Sequence, residues 1–148
     1  MKVLFIILII LGTNCLIFAK GKQFLRCELC KELIQKYNFD KTFLSNWICM
    51  IEHESGRDTE KVTRKPNGSS SYGIFQVNSK GWCTMGRKGG ICNAKCEDFL
   101  NDNISDDVVC AKKIYAREGF QHWNGWVKNC RKPENLLDLR VICGIDDL

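Results

Sequence analysis

The chain begins with a nearly unbroken apolar run, VLFIILIILGTNCLIFA, and only after Lys20 do apolar residues recur at spacings that report secondary structure. Between residues 24 and 37, Cys27, Cys30, Ile34 and Tyr37 share one side at intervals of three and four, which predicts a helix with Cys30 pointing inward as a small apolar residue. A second helix is predicted from about Thr42 to Ser55, with Asp40 or Thr42 available as its cap. At about 100° per residue, Phe43, Trp47, Met50, Ile51 and Glu54 form a single stripe about 100° wide. Glu54 continues that core face, whereas Glu52 lies about 200° round the wheel and reads as an ordinary solvated charge.

From Asp58 to about Ser79 the helical period gives way to KPNGSS, a cluster of turn residues, and then YGIFQVNS, which predicts a strand on which Gln76 and Asn78 alternate. A small antiparallel sheet is thus expected after the helix pair. GWCTMGRKGGICNAKC reads as a loop stapled by its cysteines. SDDVVCAKKIYAREG reads as a helix capped by Ser105 with acids in its first turn, and HWNGWVKNC as one or two further helical turns. The tail LLDLRVIC returns a Cys to the fold. No repeat, low-complexity tract or interdomain linker interrupts the sequence.

Residues 1–19 hold one Lys and then the apolar run, which ends on Ala19 and meets the polar KGKQ, and this marks a secretory signal peptide rather than a membrane span. Cleavage there leaves 20–148 as one domain and lowers the formal charge from +5 to +4 by removing Lys2. A modest basic surplus suits anionic surfaces such as bacterial walls, and is equally compatible with an ordinary soluble surface. The chain is expected to be a secreted monomer with no nucleic-acid partner. Of ten Cys, Cys15 departs with the leader and nine remain, a density that implies an oxidising destination and disulfide staples, with one thiol left over. Cys27 and Cys30 form a C-x-x-C, but no second such pair and no nearby His completes a zinc site.

Glu54 is the first candidate for chemistry. A carboxylate buried without a partner is costly and responds by raising its pKa, which makes Glu54 a candidate general acid; the other reading is a Glu at a helix end reaching water.

With RCEL near the start, NWICMIEHES, SYGIFQVNS, a C-x8-C-x3-C-x13-C run ending in CAKKI, and HWNGWVKNC, residues 20–148 resemble the animal C-type lysozyme and α-lactalbumin family. The resemblance implies an α+β fold with a helical lobe at about 20–57 and 104–148, a small antiparallel β-sheet lobe at about 58–103, and four disulfides. These are Cys27–Cys143, Cys49–Cys130, Cys83–Cys96 and Cys92–Cys110, with Cys30 unpaired. It makes Glu54 the catalytic acid and aligns Ser71, without gaps, to the position where active members carry a second catalytic carboxylate. No Asp or Glu between Lys61 and Lys95 replaces it.

The same resemblance assigns Gln76, Asn78, Trp82 and Trp123 to hydrogen bonding or stacking on N-acetylated sugars, with His122 beside them, and puts Gly81 where many relatives have a further aromatic. Trp47 and Trp126 are expected in the core. DFLNDNISDDVVC resembles the family's calcium loop, with Asn101, Asp106 and Asp107 as side-chain ligands and Asp98 and Asn103 as carbonyl ligands. Alternatively, Asp106 and Asp107 merely complement a helix N-terminus. No cofactor is required for either use of the cleft. The expected function is binding of peptidoglycan or chitin-like N-acetylglucosamine polymers, with muramidase activity weak or lost. The alternatives are an active lysozyme using Glu54 as sole acid and an α-lactalbumin-like calcium-binding modulator of a partner enzyme.

Overall fold

The computed structural model describes residues 21–145. The leader expected at residues 1–19, Cys15 included, lies outside them. Helix α1 (Arg26–Gln35) leads through a short 3-10 turn at Lys41–Phe43 into α2 (Leu44–Ser55), and Asp40 caps that turn by accepting the Thr42 N–H at 2.8 Å. Strands β1 (Val62–Arg64), β2 (Ser70–Tyr72) and β3 (Val77–Asn78) form one antiparallel sheet in the order β1-β2-β3. After a loop come α3 (Ser105–Glu118), a 3-10 turn at Phe120–His122, α4 (Asn124–Asn129) and α5 (Leu139–Cys143). Among the described residues no helix is long and apolar enough to cross a membrane.

The helix wheels hold with adjustments. On α1 the fully buried residues are Leu29, Cys30 and Leu33, while Cys27, Ile34 and Tyr37 are half-buried, so the core face is rotated from the expected stripe. On α2, Trp47, Met50 and Ile51 are buried as expected, but Phe43 is 43% exposed because it belongs to the tighter 3-10 turn, where the 100° wheel does not apply. Glu52 corrects a prediction. Its carboxylate accepts from Arg26 Nε at 2.7 Å and Nη2 at 3.2 Å, with Arg57 Nε at 3.4 Å, and so ties α1 to α2. A helix wheel reports only one helix's own period; α1 crosses where solvent was expected.

YGIFQVNS is not one strand. Gly73 (φ 71°) and Gln76 (φ 52°) both adopt left-handed backbone, so Gly73–Gln76 becomes the turn of a hairpin in which Ser71 pairs with Asn78 and Tyr72 with Val77. Ser105 is the first residue of α3 rather than its cap, and its N–H is taken by Asn103 Oδ1 at 3.3 Å.

The core is organised around Trp47. Its ring centroid lies 5.0 Å from Phe39, 6.1 Å from Phe75, 5.1 Å from Tyr115, 4.9 Å from Phe120 and 5.7 Å from Trp123, mostly edge to face, the geometry that aromatic quadrupoles favour. Trp126 is half-buried, stacked on Phe120 and hydrogen-bonded through Nε1 to Asn46 Oδ1 at 2.9 Å. The four disulfides are Cys27–Cys143, Cys49–Cys130, Cys83–Cys96 and Cys92–Cys110, with Cys30 free and buried. Burial pushes the Cys30 thiol up to about 11, so it stays protonated and unreactive at neutral pH.

Gly73 packs directly against the segment leading into α3: a Cβ there would collide with the Phe99 carbonyl oxygen and with Asp107 Oδ1. Gly73→Ala therefore meets both a left-handed φ and rigid backbone, and should destabilise the fold by about 2 kcal/mol or more. Denaturant unfolding checks this; an unchanged midpoint would mean that the hairpin turn can move away from α3.

Candidate active-site cleft

Glu54, the penultimate residue of α2, is half-buried, and its Oε1 accepts the Gly125 N–H at 2.6 Å. The carboxyl is thus fixed by the start of α4 and opens onto a cleft of about 250 Å3 that separates α2 and α4 from the hairpin. Gln76, Asn78, Trp82, His122 and Trp123 all line this cleft with Glu54, so the expected binding residues do converge. Lys65, Asn67, Ser69, Lys80 and Asn124 line it too and were not singled out in the sequence. Among the described residues, Glu54 is the only acid lining it.

Ser71 is not among the lining residues. It is 2% exposed on β2, and its Oγ accepts from Asn78 Nδ2 at 3.0 Å. Asn78 Nδ2 also donates to Ser69 Oγ at 3.3 Å, while Asn78 Oδ1 accepts the Lys80 N–H at 2.7 Å. Ser69 Oγ donates onward to Asn67 Oδ1 at 2.8 Å. The Asn78 amide, expected to meet a sugar, also forms a strut between β2, β3 and the turn after them. The short alternation of amides along the sequence could not reveal this, because the partners come from the opposite strand.

The other binding residues are also more committed than expected. Gln76 Nε2 donates to the carbonyls of Lys61 and Gly73, both at 2.9 Å, so its amide donor is committed within the protein. Trp123 is 2% exposed, and its Nε1 donates to the Phe75 carbonyl at 2.8 Å; Trp82 is 3% exposed. The two indoles form a floor, not open platforms. His122 stands edge-on to both, 5.4 Å from Trp82 and 5.1 Å from Trp123, and its Nδ1 lies 2.6 Å from Glu118 Oε2. Glu118 escaped notice because Gly119 breaks the helix between it and His122, although the four-residue spacing was a usable signal. Gly81 has φ 100° and nothing within 4 Å of where a Cβ would stand, so room exists for the aromatic found in relatives but the backbone favours glycine.

The cleft chemistry follows from this inventory. Glu54 can deliver or take one proton. Retaining glycoside hydrolysis needs a second carboxyl about 5 Å from the first to attack or stabilise the cationic sugar centre, and among the described residues the hairpin side lines the cleft with hydroxyls, amides, an indole and two lysines but no carboxyl.

A family model for the C-type lysozyme/alpha-lactalbumin family matches residues 22–142. The chain belongs to this family. A lysozyme of Bombyx mori is 46% identical over 114 residues, covering 76% of this chain and 82% of that protein. Alpha-lactalbumin of Oryctolagus cuniculus is 45% identical over 107 residues, covering 70% of this chain and 75% of that protein. The crystal structure of a calcium-binding lysozyme from equine milk superposes with a TM-score of 0.71 at 35% identity, covering 84% of this chain and all of that one. The family therefore includes hydrolase, calcium-binding and lactalbumin members, and each site needs testing on its own residues.

For the calcium loop that test is geometric. Calcium requires the Asp98 and Asn103 carbonyls and Asn101 Oδ1 to face one point beside Asp106 and Asp107. Here Asn101 Nδ2 donates to the Asp98 carbonyl, and Asn101 Oδ1 accepts the Asn103 N–H at 2.8 Å, so an amide closes the loop. The Asn101 amide is thus committed within the loop, while the Asp107 oxygens have no hydrogen-bond partner. Asp107, an acid in the first turn of α3, is fully buried. The other group of ligating residue types, His53 with Cys49 and Cys130, offers no thiolate because those two cysteines are bridged.

Burial, with Asp106 adjacent, pushes the Asp107 carboxyl up to about 9. The folded group holds its proton more tightly than the unfolded one. Its contribution to stability is thus complete below the ordinary carboxyl pKa of about 4 and is lost as pH rises towards about 9. Asp107→Asn cannot ionise, so in chelator its Tm should fall less than the parent's between about pH 5 and about pH 8. Equal falls in thermal denaturation would mean that Asp107 is ionised and compensated in the fold.

Proposed function

We propose that this chain is a secreted binder of N-acetylated cell-wall polysaccharides whose hydrolytic activity is weak or lost. The observation that carries the reading is the state of Ser71: a buried neutral hydroxyl, held by Asn78, at the position aligned with the second carboxylate of active relatives. Secretion rests on the apolar leader, and the ligand class on the family and on the cleft lining. Binding here needs no resident metal, and a monomer suffices because one chain supplies every wall of the cleft.

The mechanism lost is the two-carboxyl one. Glu54 still lies where it can protonate a leaving oxygen, held by the Gly125 N–H. What is missing is the group that meets the developing positive charge on the sugar, whose removal costs roughly 10²- to 10³-fold in rate. A Ser hydroxyl without an adjacent base is a poor substitute, and the described partner of the Ser71 hydroxyl is the Asn78 amide. The Asn78 amide, however, already points at position 71 and would donate to a carboxylate placed there.

Ser71→Asp should accordingly lyse peptidoglycan at least roughly 10²-fold faster than the parent protein, measured by loss of turbidity of wall suspensions. A parent already as fast as the variant sinks the reading. Residual lysis should vanish in Glu54→Gln, since an amide delivers no proton to the leaving group.

The binding half is checked by calorimetry with N-acetylglucosamine oligomers. Affinity should rise over the first few sugars, and Trp82→Ala should weaken it by about 1 kcal/mol or more. Glu54→Gln should change ground-state binding far less. Absence of binding at millimolar oligomer would turn attention to a protein partner of the kind an α-lactalbumin-like modulator requires.

A further inference from the structure

We propose that the cleft selects glycans bearing carboxylates, with Lys65 and Lys80 as the residues that read the charge; this rests on the cleft's being a carbohydrate site, as argued above. Lys65 and Lys80 line the sheet side of the cleft, and among the described residues Glu54, on the helix side, is the only acid lining it. Both lysines are exposed, and neither side chain has an ion-pair or hydrogen-bond partner among the described residues. His122 adds no counter-charge, and its Nδ1 is tied to Glu118.

The backbones that carry these lysines are fixed. Lys65 N donates to the Ser69 carbonyl at 2.8 Å and its own carbonyl accepts from Gly68 at 3.1 Å, while Lys80 N donates to Asn78 Oδ1 at 2.7 Å. The neutral groups between them, those of Asn67, Ser69 and Asn78, are spent largely on one another. An uncharged oligomer laid in the cleft would therefore partly desolvate two cations and pair neither. A glycan with acidic substituents supplies the missing partners. Replacement of a carboxylate by Ser71 strengthens the effect, because no charge at that position offsets the lysines.

An exposed ammonium–carboxylate pair contributes about 2- to 5-fold in affinity, so two give roughly 10-fold at low salt. The advantage should shrink as salt screens it. Acidic substituents of this kind occur as free stem-peptide carboxylates on wall strands and as ring carboxylates of hexuronates, and the two sources are separable by experiment.

Calorimetry would compare three oligomers of equal length: neutral N-acetylglucosamine, a wall-derived strand with free stem carboxylates, and a hexuronate-containing strand, each at about 20 mM and about 300 mM salt. An acidic oligomer should bind about 10-fold more tightly than the neutral one at low salt and no more than about 2-fold at high salt. A gain for both acidic strands assigns recognition to carboxylates generally, and a gain for the wall strand alone to the stem peptide. The Lys65→Gln, Lys80→Gln double variant should lose the advantage, binding acidic and neutral oligomers with affinities within about 2-fold of each other at low salt. Lys113→Gln, on α3 and outside the cleft lining, removes the same kind of charge and should keep the advantage. Equal affinities for neutral and acidic oligomers, or an advantage that survives in the double variant, would overturn the proposal while leaving the carbohydrate reading intact. Failure of all three oligomers to bind overturns both.

Discussion

One buried hydrogen bond, from Trp123 Nε1 to the Phe75 carbonyl, joins the helical part of this protein to the hairpin. Both groups are deep in the core, so each would carry an unsatisfied polar atom without the other, at a cost of about 1–3 kcal/mol. Trp47 packs against both residues and holds them in register. The cleft is a consequence of this joint. α2 ends beside it at Glu54, α4 begins beside it and gives its Gly125 N–H to that carboxyl, and the hairpin leaves the Phe75 turn towards Asn78 and Lys80. Displacing the Trp123–Phe75 contact would move the acid and the opposing wall relative to each other.

The contrast between what was legible in the sequence and what was not follows from the range of the forces involved. Glu54 could be placed because a helix period is local, and three buried neighbours on α2 define its face. Glu52, two residues earlier, was misplaced because its partner Arg26 is brought in by another helix. The hairpin turn resembles strand in the sequence because strand-forming residues continue through Ile74 and Phe75, although Gly73 and Gln76 take left-handed backbone. Gly73 was a usable warning there, and Gln76 gave none. The disulfides came from the family pattern, since spacing alone leaves many pairings open.

The binding residues illustrate the same limit at side-chain level. Their positions were legible and their commitments were not. Asn78 and Gln76 do line the cleft, yet their amide donors are satisfied within the hairpin, and the Trp123 indole N–H is spent on the core. Polar groups fixed in this way make a rigid wall that needs no reordering to receive a ligand, which lowers the entropic cost of binding. They also leave fewer free donors for a sugar.

Ser71 and Asp107 show how differently the fold treats two buried polar positions that approach the hairpin. At Ser71 the hydroxyl meets the Asn78 amide, and the strand pair is satisfied without any charge. A carboxylate there would have to be desolvated against the same single amide, so its presence in active relatives is a demand of catalysis that the fold itself does not make. With serine in place, stability and turnover are no longer opposed at this position, and the sheet keeps its geometry. At Asp107 the carboxyl is retained with no hydrogen bond to either oxygen and is pushed up to about 9, a burden that packing against Gly73 makes hard to relieve by movement. The fold thus holds a neutral hydroxyl at one buried polar position beside the hairpin and a carboxyl at the other, and packing against the Gly73 turn fixes the second in place.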